Sequence, residues 1–458
     1  LGVFGLKTAV VGGGVTGLAA AFFLAQQPEM EVTVFESDSR MGGKVQAEEL
    51  GDLSVEMGPD SFVTRSAAIF EIISEIGLGD LLIHPKANRA LILRGGSLRT
   101  LPQGLNLGFP TNSAQILKSE VLTPLEKLST YLRWRLQRDA DFAKSSDDIG
   151  RILQYYVGRP YVRYVLDPLI GGINAASVYG ASGEITASQI LRLLRGEPQV
   201  TTTTDHTQMP PFASFEGGLS VLIGHMQEYL KGRGVALRTN SVVSDLKLTS
   251  NGVMLETDLD VEEFDKVILT TPPSVTGILL RDISPETAQI LRSIRRASVT
   301  MSTLLVDADL THIPSDVAGV LVPRDQGFLT TAITLGPNKW PEWRSNAGQI
   351  LRISSGRFGE GEHLKIRPDE LVSLLIGEAQ EILGTHIGLL DYRVKRWVGS
   401  FVRFAPYHRQ LMNKVEKTLA ADSKGAIELS GSFVRGSGIP TCIQVAKEVA
   451  ARTQSSRL

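Results

Sequence analysis

The sequence predicts an α/β protein with α+β character: a Rossmann-like dinucleotide-binding domain, an interleaved substrate-binding domain and a helical insertion. Three observations lead there. A strand, a glycine turn, a helix and a second strand succeed one another within residues 7–36. An amphipathic helical pattern fills residues 112–200, and strand-forming segments return in the middle of the chain and again near its C-terminus.

In chain order, "KTAVV" at 7–11 is β-branched and apolar, as a strand buried on both faces should be. Residues 16–27, "TGLAAAFFLAQQ", are strong helix formers, and "VTVFE" at 32–36 is again strand-like. Between strand and helix, Gly12, Gly14 and Gly17 satisfy G-x-G-x-x-G, and Glu36 closes the second strand. The first glycine permits a tight turn, the second lets backbone amides approach a pyrophosphate, and the third lets helix pack on strand. The helix start favours an anion, and Glu36 is placed to accept hydrogen bonds from a ribose hydroxyl. "SDSRMGGKV" follows, where Arg40, Gly42, Gly43 and Lys44 bring further amides and cations towards the same phosphates. "GPDSF" at 58–62 reads as a loop with free amides.

Within the helical stretch, Lys127, Arg133, Arg135 and Arg138 read as a solvated basic face, with no markedly apolar landing surface. Residues 201–211, "TTTTDHTQMPP", read as a loop. Further on, "FEGGLSVLIGHM" predicts a turn into a helix, "FDKVILTTPP" a buried strand with a proline stop, and 300–355 a strand-rich stretch. The C-terminal "AIELSGSFVRGSGIPTCIQVAKEVAAR" predicts strand, glycine loop and helix, with Pro440 in the favoured first turn. The predicted segments are 1–95, 206–272 and 391–458 for the dinucleotide domain, 96–205 for the helical insertion, and 273–390 for a β-rich substrate domain.

Composition excludes several classes. Lys and Arg total 47 against 49 Asp and Glu, with no block of like charge, so nucleic acid is not an expected partner. A single cysteine, Cys442, cannot form an internal disulfide, and the scattered histidines offer no metal-ligand spacing. A reducing cytoplasm is the expected location. The uncharged run from Thr8 to Pro28 is long enough to span a bilayer, but its glycines and weak basic flank make it neither a span nor a signal peptide.

Gly12-Gly13-Gly14-Val15-Thr16-Gly17, Glu36-Ser37 and Arg40-x-Gly42-Gly43-Lys44 together resemble the paired glycine signature of the flavin amine oxidase and phytoene desaturase superfamily. With "GPDSF", "LPQGLNLGFPT", "GVLVP" and "GSGIPTCI", the chain looks like the protoporphyrinogen oxidase group, nearer to its soluble bacterial branch. The resemblance runs from about residue 7 to 452 and is loosest over 112–200.

It implies FAD. Pyrophosphate and ribose contacts would fall on Gly12 to Gly17, Glu36, Ser37, Gly43 and Lys44, with the isoalloxazine near Gly58, Pro59, Asp60 and Ser61. Val243 would bracket the adenine, Trp397 would stand beside the flavin, and Gly438, Ile439 and Pro440 would form the C-terminal flavin box. Arg89 would pair with a substrate propionate, while Leu321 and Ile333 would sandwich the tetrapyrrole. The implied activity is oxidation of a porphyrinogen in haem biosynthesis by molecular oxygen, coproporphyrinogen III for the soluble branch or protoporphyrinogen IX for the membrane-bound one. No acid, base or metal is required of the protein, because hydride transfer to the flavin carries the chemistry. Transient contact with a downstream haem-pathway enzyme is compatible with this reading. The run "PLIGGINAASVYG" departs from bacterial relatives by having Asn174 where an acid often stands nearby.

Overall fold

The computed structural model describes residues 5–64, 66–137, 139–198 and 209–455. The predicted β-α-β unit is present as Leu6–Val11, Val15–Leu24 and Met30–Phe35. Its strands are central in a five-stranded sheet ordered Ala236–Arg238, Met30–Phe35, Leu6–Val11, Lys266–Leu269, Ile427–Leu429, with every pairing parallel. The Val15–Leu24 helix is buried on nearly all sides and packs on the C-terminal Ile439–Ser455 helix. That burial explains its lack of charge: no face of it meets water or lipid. Among the described residues no helix is long and apolar enough to cross a membrane.

The second sheet has seven strands in the order Ile387–Val402, Arg296–Ala308, Gln349–Ser355, Thr330–Leu335, Val317–Leu321, Arg89–Arg94, Ser97–Thr100. Two predicted boundaries therefore move. The hairpin Arg89–Thr100 crosses the boundary at 95, and the strand Ile387–Val402 crosses the one at 390, yet both belong to this sheet. Long-range pairing decides membership, and strand pattern alone does not reveal a partner. The boundary at 205, the loop over 201–208 and Arg138 lie outside the described residues.

The two faces of the seven-stranded sheet differ. Val320, Ile333, Leu351 and Ile353 point into an apolar core against the Pro368–Leu383 helix. On the opposite face Met301, Gly319, Leu321, Ala332, Thr334 and Ser354 all keep accessible surface in the middle of the sheet. Alternation along each strand produces the division.

The helical insertion has its own core around Ile152, Tyr161 and Leu166. Its Pro124–Leu136 helix is held by a capping box of Thr123 and Glu126. Here the expected solvated basic face needs correcting, because Leu125, Leu128, Leu132 and Leu136 project outward between Arg133 and Arg135, with Leu125 80 % exposed.

Candidate flavin site and substrate cleft

The phosphate cradle follows from glycine sterics. Gly12 has φ +108°, and a Cβ there would lie 2.6 Å from Thr270 Oγ1. At Gly17 a Cβ would meet the Gly12 carbonyl oxygen at 1.9 Å, and at Gly13 it would meet Met41 Sδ at 2.3 Å. Gly14 is different: a Cβ would find only Gly43 Cα, at 4.0 Å, so its backbone faces open space. Gly42 N–H donates to Gly13 O at 2.8 Å, joining the two glycine motifs edge to edge. The Val15–Leu24 helix begins at Gly14 with neither a side-chain cap nor an acidic residue in its first turn, leaving amides aimed at that space. Thr16 and Val15 lie in that turn.

Glu36 sits one residue past its strand. Its carboxylate accepts from Gly13 N at 2.7 Å, Asp38 N at 2.9 Å and Ser37 Oγ at 3.1 Å. The backbone of 238–241 runs alongside, with Ser241 N–H donating to Glu36 O at 2.8 Å, and the chain continues into Val243 at the start of its strand. Nucleotide end and strand end are thus adjacent.

Lys44 donates through Nζ to Ser400 O at 2.7 Å. By surface area it remains exposed. Desolvation by the protein around it lowers its pKa, Cys442 opposes that shift, and Arg296 adds to it. Cys442 itself is buried at the start of the Ile439–Ser455 helix, where burial pushes its thiol pKa up against the hydrogen bond with Thr16 and the charge of Lys44. Gly438 supplies the first carbonyl of that helix, accepting from Cys442 N at 2.9 Å, and Ile439 and Pro440 are buried in its first turn. The cradle and the C-terminal box therefore stand side by side, joined through Thr16 and Cys442.

The ring-side loop is held by buried charge. Asp60 is bound by Lys339 Nζ at 2.7 Å and by Arg352 Nη1 at 3.3 Å, while Arg352 Nη2 donates to Gly58 O at 2.6 Å. Burial would raise the Asp60 pKa, but the Lys339 ammonium and the Arg352 guanidinium outweigh it and hold it well below the carboxylate range. Ser61 Oγ donates to Asp60 Oδ1 at 2.9 Å. Trp397 Nε1 donates to Met57 O at 3.0 Å, and a Cβ on Gly58 would collide with Lys44 O at 2.0 Å. Nearby, Glu56 accepts from Ser220 N at 2.8 Å; burial raises its pKa, and the Ser220 amide and Arg352 pull against that. Pro59 lies within this same loop.

The sequence predicts free amides in the Gly58–Ser61 loop and does not reveal that the Asp60 and Ser61 side chains tie the loop down. Glu56, Lys339 and Arg352 escaped the sequence reading. A signal was available at Arg352: an arginine at the centre of "QILRISS" is only 4 % exposed, and such a charge must have a partner.

Of the three expected substrate residues, Leu321 lies on the accessible face. Ile333 is 1 % exposed and points into the core on the other face. Ile333 and Leu321 therefore cannot clasp one planar ligand, because strand alternation sends them to opposite sides of the sheet. Arg89 is partly buried and already paired with Asp316 at 2.6 Å. Asn174 donates to Ile170 O at 2.8 Å, closing the end of its own helix.

The model of the flavin containing amine oxidoreductases matches residues 15–453. The chain belongs to that family. Its membership implies a flavin cofactor, and the open Gly14 backbone, the uncapped helix start and the Lys44 ammonium fit a dinucleotide carrying one. Relatives include coproporphyrinogen III oxidases of Bacillus subtilis, 26% identical with 96% of each chain covered, and of Mycobacterium tuberculosis, 27% identical with 95% of each covered. A crystal structure from Exiguobacterium sp. 255-15, described as a protoporphyrinogen oxidase, superposes with a TM-score of 0.86 at 25% identity, covering 98% of this chain and 99% of the other. A putrescine oxidase bound to putrescine shares the fold with a TM-score of 0.66 at 17% identity, over 98% and 99% of the two chains.

Proposed function

We propose that this flavoprotein binds FAD and oxidises a porphyrinogen, coproporphyrinogen III before protoporphyrinogen IX, to the corresponding porphyrin. One observation carries the reading furthest. The accessible face of the seven-stranded sheet is lined by Met301, Gly319, Leu321, Ala332, Thr334 and Ser354, a broad wall that starts from the Arg352-anchored flavin loop and carries Trp397 beside that loop. A flat, mostly apolar macrocycle fits such a wall. An amine oxidase would favour several aromatic rings there to cage a cation, whereas the lining residues beyond Trp397 are aliphatic, small or hydroxyl-bearing.

When bound, the flavin supplies the two-electron chemistry, and three rounds remove six electrons and six protons while three molecules of oxygen become three of hydrogen peroxide. The chain's own residues position and exclude. Arg352, Lys339 and Asp60 fix the Gly58–Ser61 loop, so the ring-side wall does not reorganise during turnover. Trp397 closes the loop against the sheet through Met57 O. The first-turn amides of the Ile439–Ser455 helix stand beside the cradle, and their dipole favours negative charge there. The relatives named for coproporphyrinogen III, near full length on both chains, support the choice of substrate.

Purified chain should show a flavin spectrum, and porphyrin fluorescence with oxygen uptake should appear faster with coproporphyrinogen III than with protoporphyrinogen IX. Faster turnover of protoporphyrinogen IX would reverse the substrate order. Oxygen uptake with a simple amine alone would move the chain to another activity of the family, and flavin binding without any turnover would make it a scaffold.

A further inference from the structure

Several arginines gather at one end of the strands of the seven-stranded sheet. The Val317–Leu321 and Gln349–Ser355 strands run the same way, and Arg324 and Arg357 follow their last residues. Arg296–Ala308 is antiparallel to them and begins at that end, while Ile387–Val402 is antiparallel to it in turn and ends there, so Arg295, Arg296 and Arg403 join the cluster. Arg403 N–H donates to Arg295 O at 2.9 Å, which sets the two side by side.

Phe358 stands between them. Its ring centroid is 4.4 Å from Arg403 Cζ and 5.5 Å from Arg295 Cζ, and its N–H is fixed to Ala175 O at 2.7 Å. Gly180, at φ +68°, makes room for the Arg403 guanidinium, since a Cβ there would lie 2.7 Å from Nη2. Beneath the cations lies an apolar patch of Ala175, Ala297, Val299, Phe358 and Phe401.

The neighbouring carboxylates are already engaged. Glu360 is 2.9 Å from Arg324, Asp167 takes Arg324 at 3.8 Å and the Val178 amide at 2.8 Å, and Asp148 takes Arg151 at 3.5 Å. No ion pair among the described residues includes Arg295 or Arg403; Arg403 donates to the Tyr179 carbonyl at 3.3 Å and lies on the Phe358 face, with the Asp148 charge acting on it from beyond ion-pair distance. Two adjacent guanidiniums stacked on one ring repel each other, and a structure holds them together when an anion completes the set.

We infer that Arg295 and Arg403, splayed about Phe358, form a clamp for carboxylates at one end of the substrate. This rests on the functional reading above and sharpens its substrate class. Arg89, at the other end of the sheet and on a different strand, has its charge taken by Asp316, so the clamp favours a macrocycle that presents carboxylates whichever edge enters it. Coproporphyrinogen III, with a propionate on every ring, meets that condition. Protoporphyrinogen IX, with both propionates on neighbouring rings, offers a single acidic edge.

The Arg295 side chain is exposed and is outside the hydrogen bonds that hold the strands together, so Arg295→Gln tests the clamp while sparing the fold; Arg403→Gln and Arg403→Lys are its companions. Each variant should keep its flavin absorbance, kcat should change less than about twofold, and KM for coproporphyrinogen III should rise by about tenfold or more, with Arg403→Lys recovering part of the loss. Affinity for coproporphyrin, read by fluorescence quenching, should fall in parallel and weaken with added salt. An unchanged KM and affinity in both glutamine variants overturns the clamp. A wild-type chain that binds coproporphyrin without oxidising either porphyrinogen overturns the functional reading alone, and the variants' affinities still decide the clamp. A wild type with neither affinity nor turnover overturns both.

Discussion

The phosphate cradle and the ring-side wall are neighbours but are built on different principles. The cradle is local: most of its parts fall within residues 12–44, and its shape depends on where a Cβ cannot be placed. The wall is assembled from Glu56–Ser61, Ser220, Lys339, Arg352 and Trp397, segments separated by up to 340 positions and joined by buried charge and single hydrogen bonds. A local site is fixed by excluded volume. A distributed one depends on each buried ion keeping its partner.

Removing Asp60 is the harshest way to break the wall and spare the cradle. Asp60→Ala would leave Lys339 and Arg352 facing each other unneutralised, and breaking a buried pair this way costs about 3–5 kcal/mol. Urea unfolding should show the loss, while ADP, which needs only the cradle, should still bind to the folded fraction. Asp60 also sets a pH signature. Its folded pKa lies below the ordinary 3.8, so the unfolded chain binds more protons between the two values and stability rises with pH through that window. The contribution is present in full above about pH 5 and fades as pH falls through the acid range. Asp60→Asn should flatten that acid limb. A limb of unchanged slope would mean that the charge cluster does not hold the loop.

Gly17→Ala reverses the experiment. The added methyl collides with the Gly12 carbonyl, so ADP and FAD binding should both disappear, while overpacking lowers stability by about 1–3 kcal/mol. Retained ADP binding would show that the turn can relax and that the cradle is less rigid than its glycines imply. The mildest test is Trp397→Phe, which removes one hydrogen bond to Met57 O and keeps the apolar body. The expected loss is about 1 kcal/mol, with flavin binding weakened and ADP binding unchanged. Equal weakening of both ligands would erase the distinction between the two regions.

The cradle was legible in the sequence because its constraints act between near neighbours: Gly12, Gly14, Gly17, Glu36 and the Gly42-Gly43 pair carry their geometry in their spacing. The substrate side was legible only in outline. Ile333 reads as an apolar strand residue whichever face it occupies, and the structure turned it into the core. Arg89 reads as a free cation until Asp316, more than two hundred residues away, is placed beside it. Arg295 and Arg403 are unremarkable apart; their adjacency exists only because two strands pair in one register.

The sequence by itself determined the nucleotide fold and the interleaving of two domains, because period, turn chemistry and glycine spacing are properties of short stretches of chain, and the resemblance of its motifs added the flavin family. Tertiary structure alone decided which strands share the substrate sheet, which of its faces keeps open surface, and which charges are paired. Those outcomes depend on register between distant strands, where a shift of one residue exchanges core for cleft.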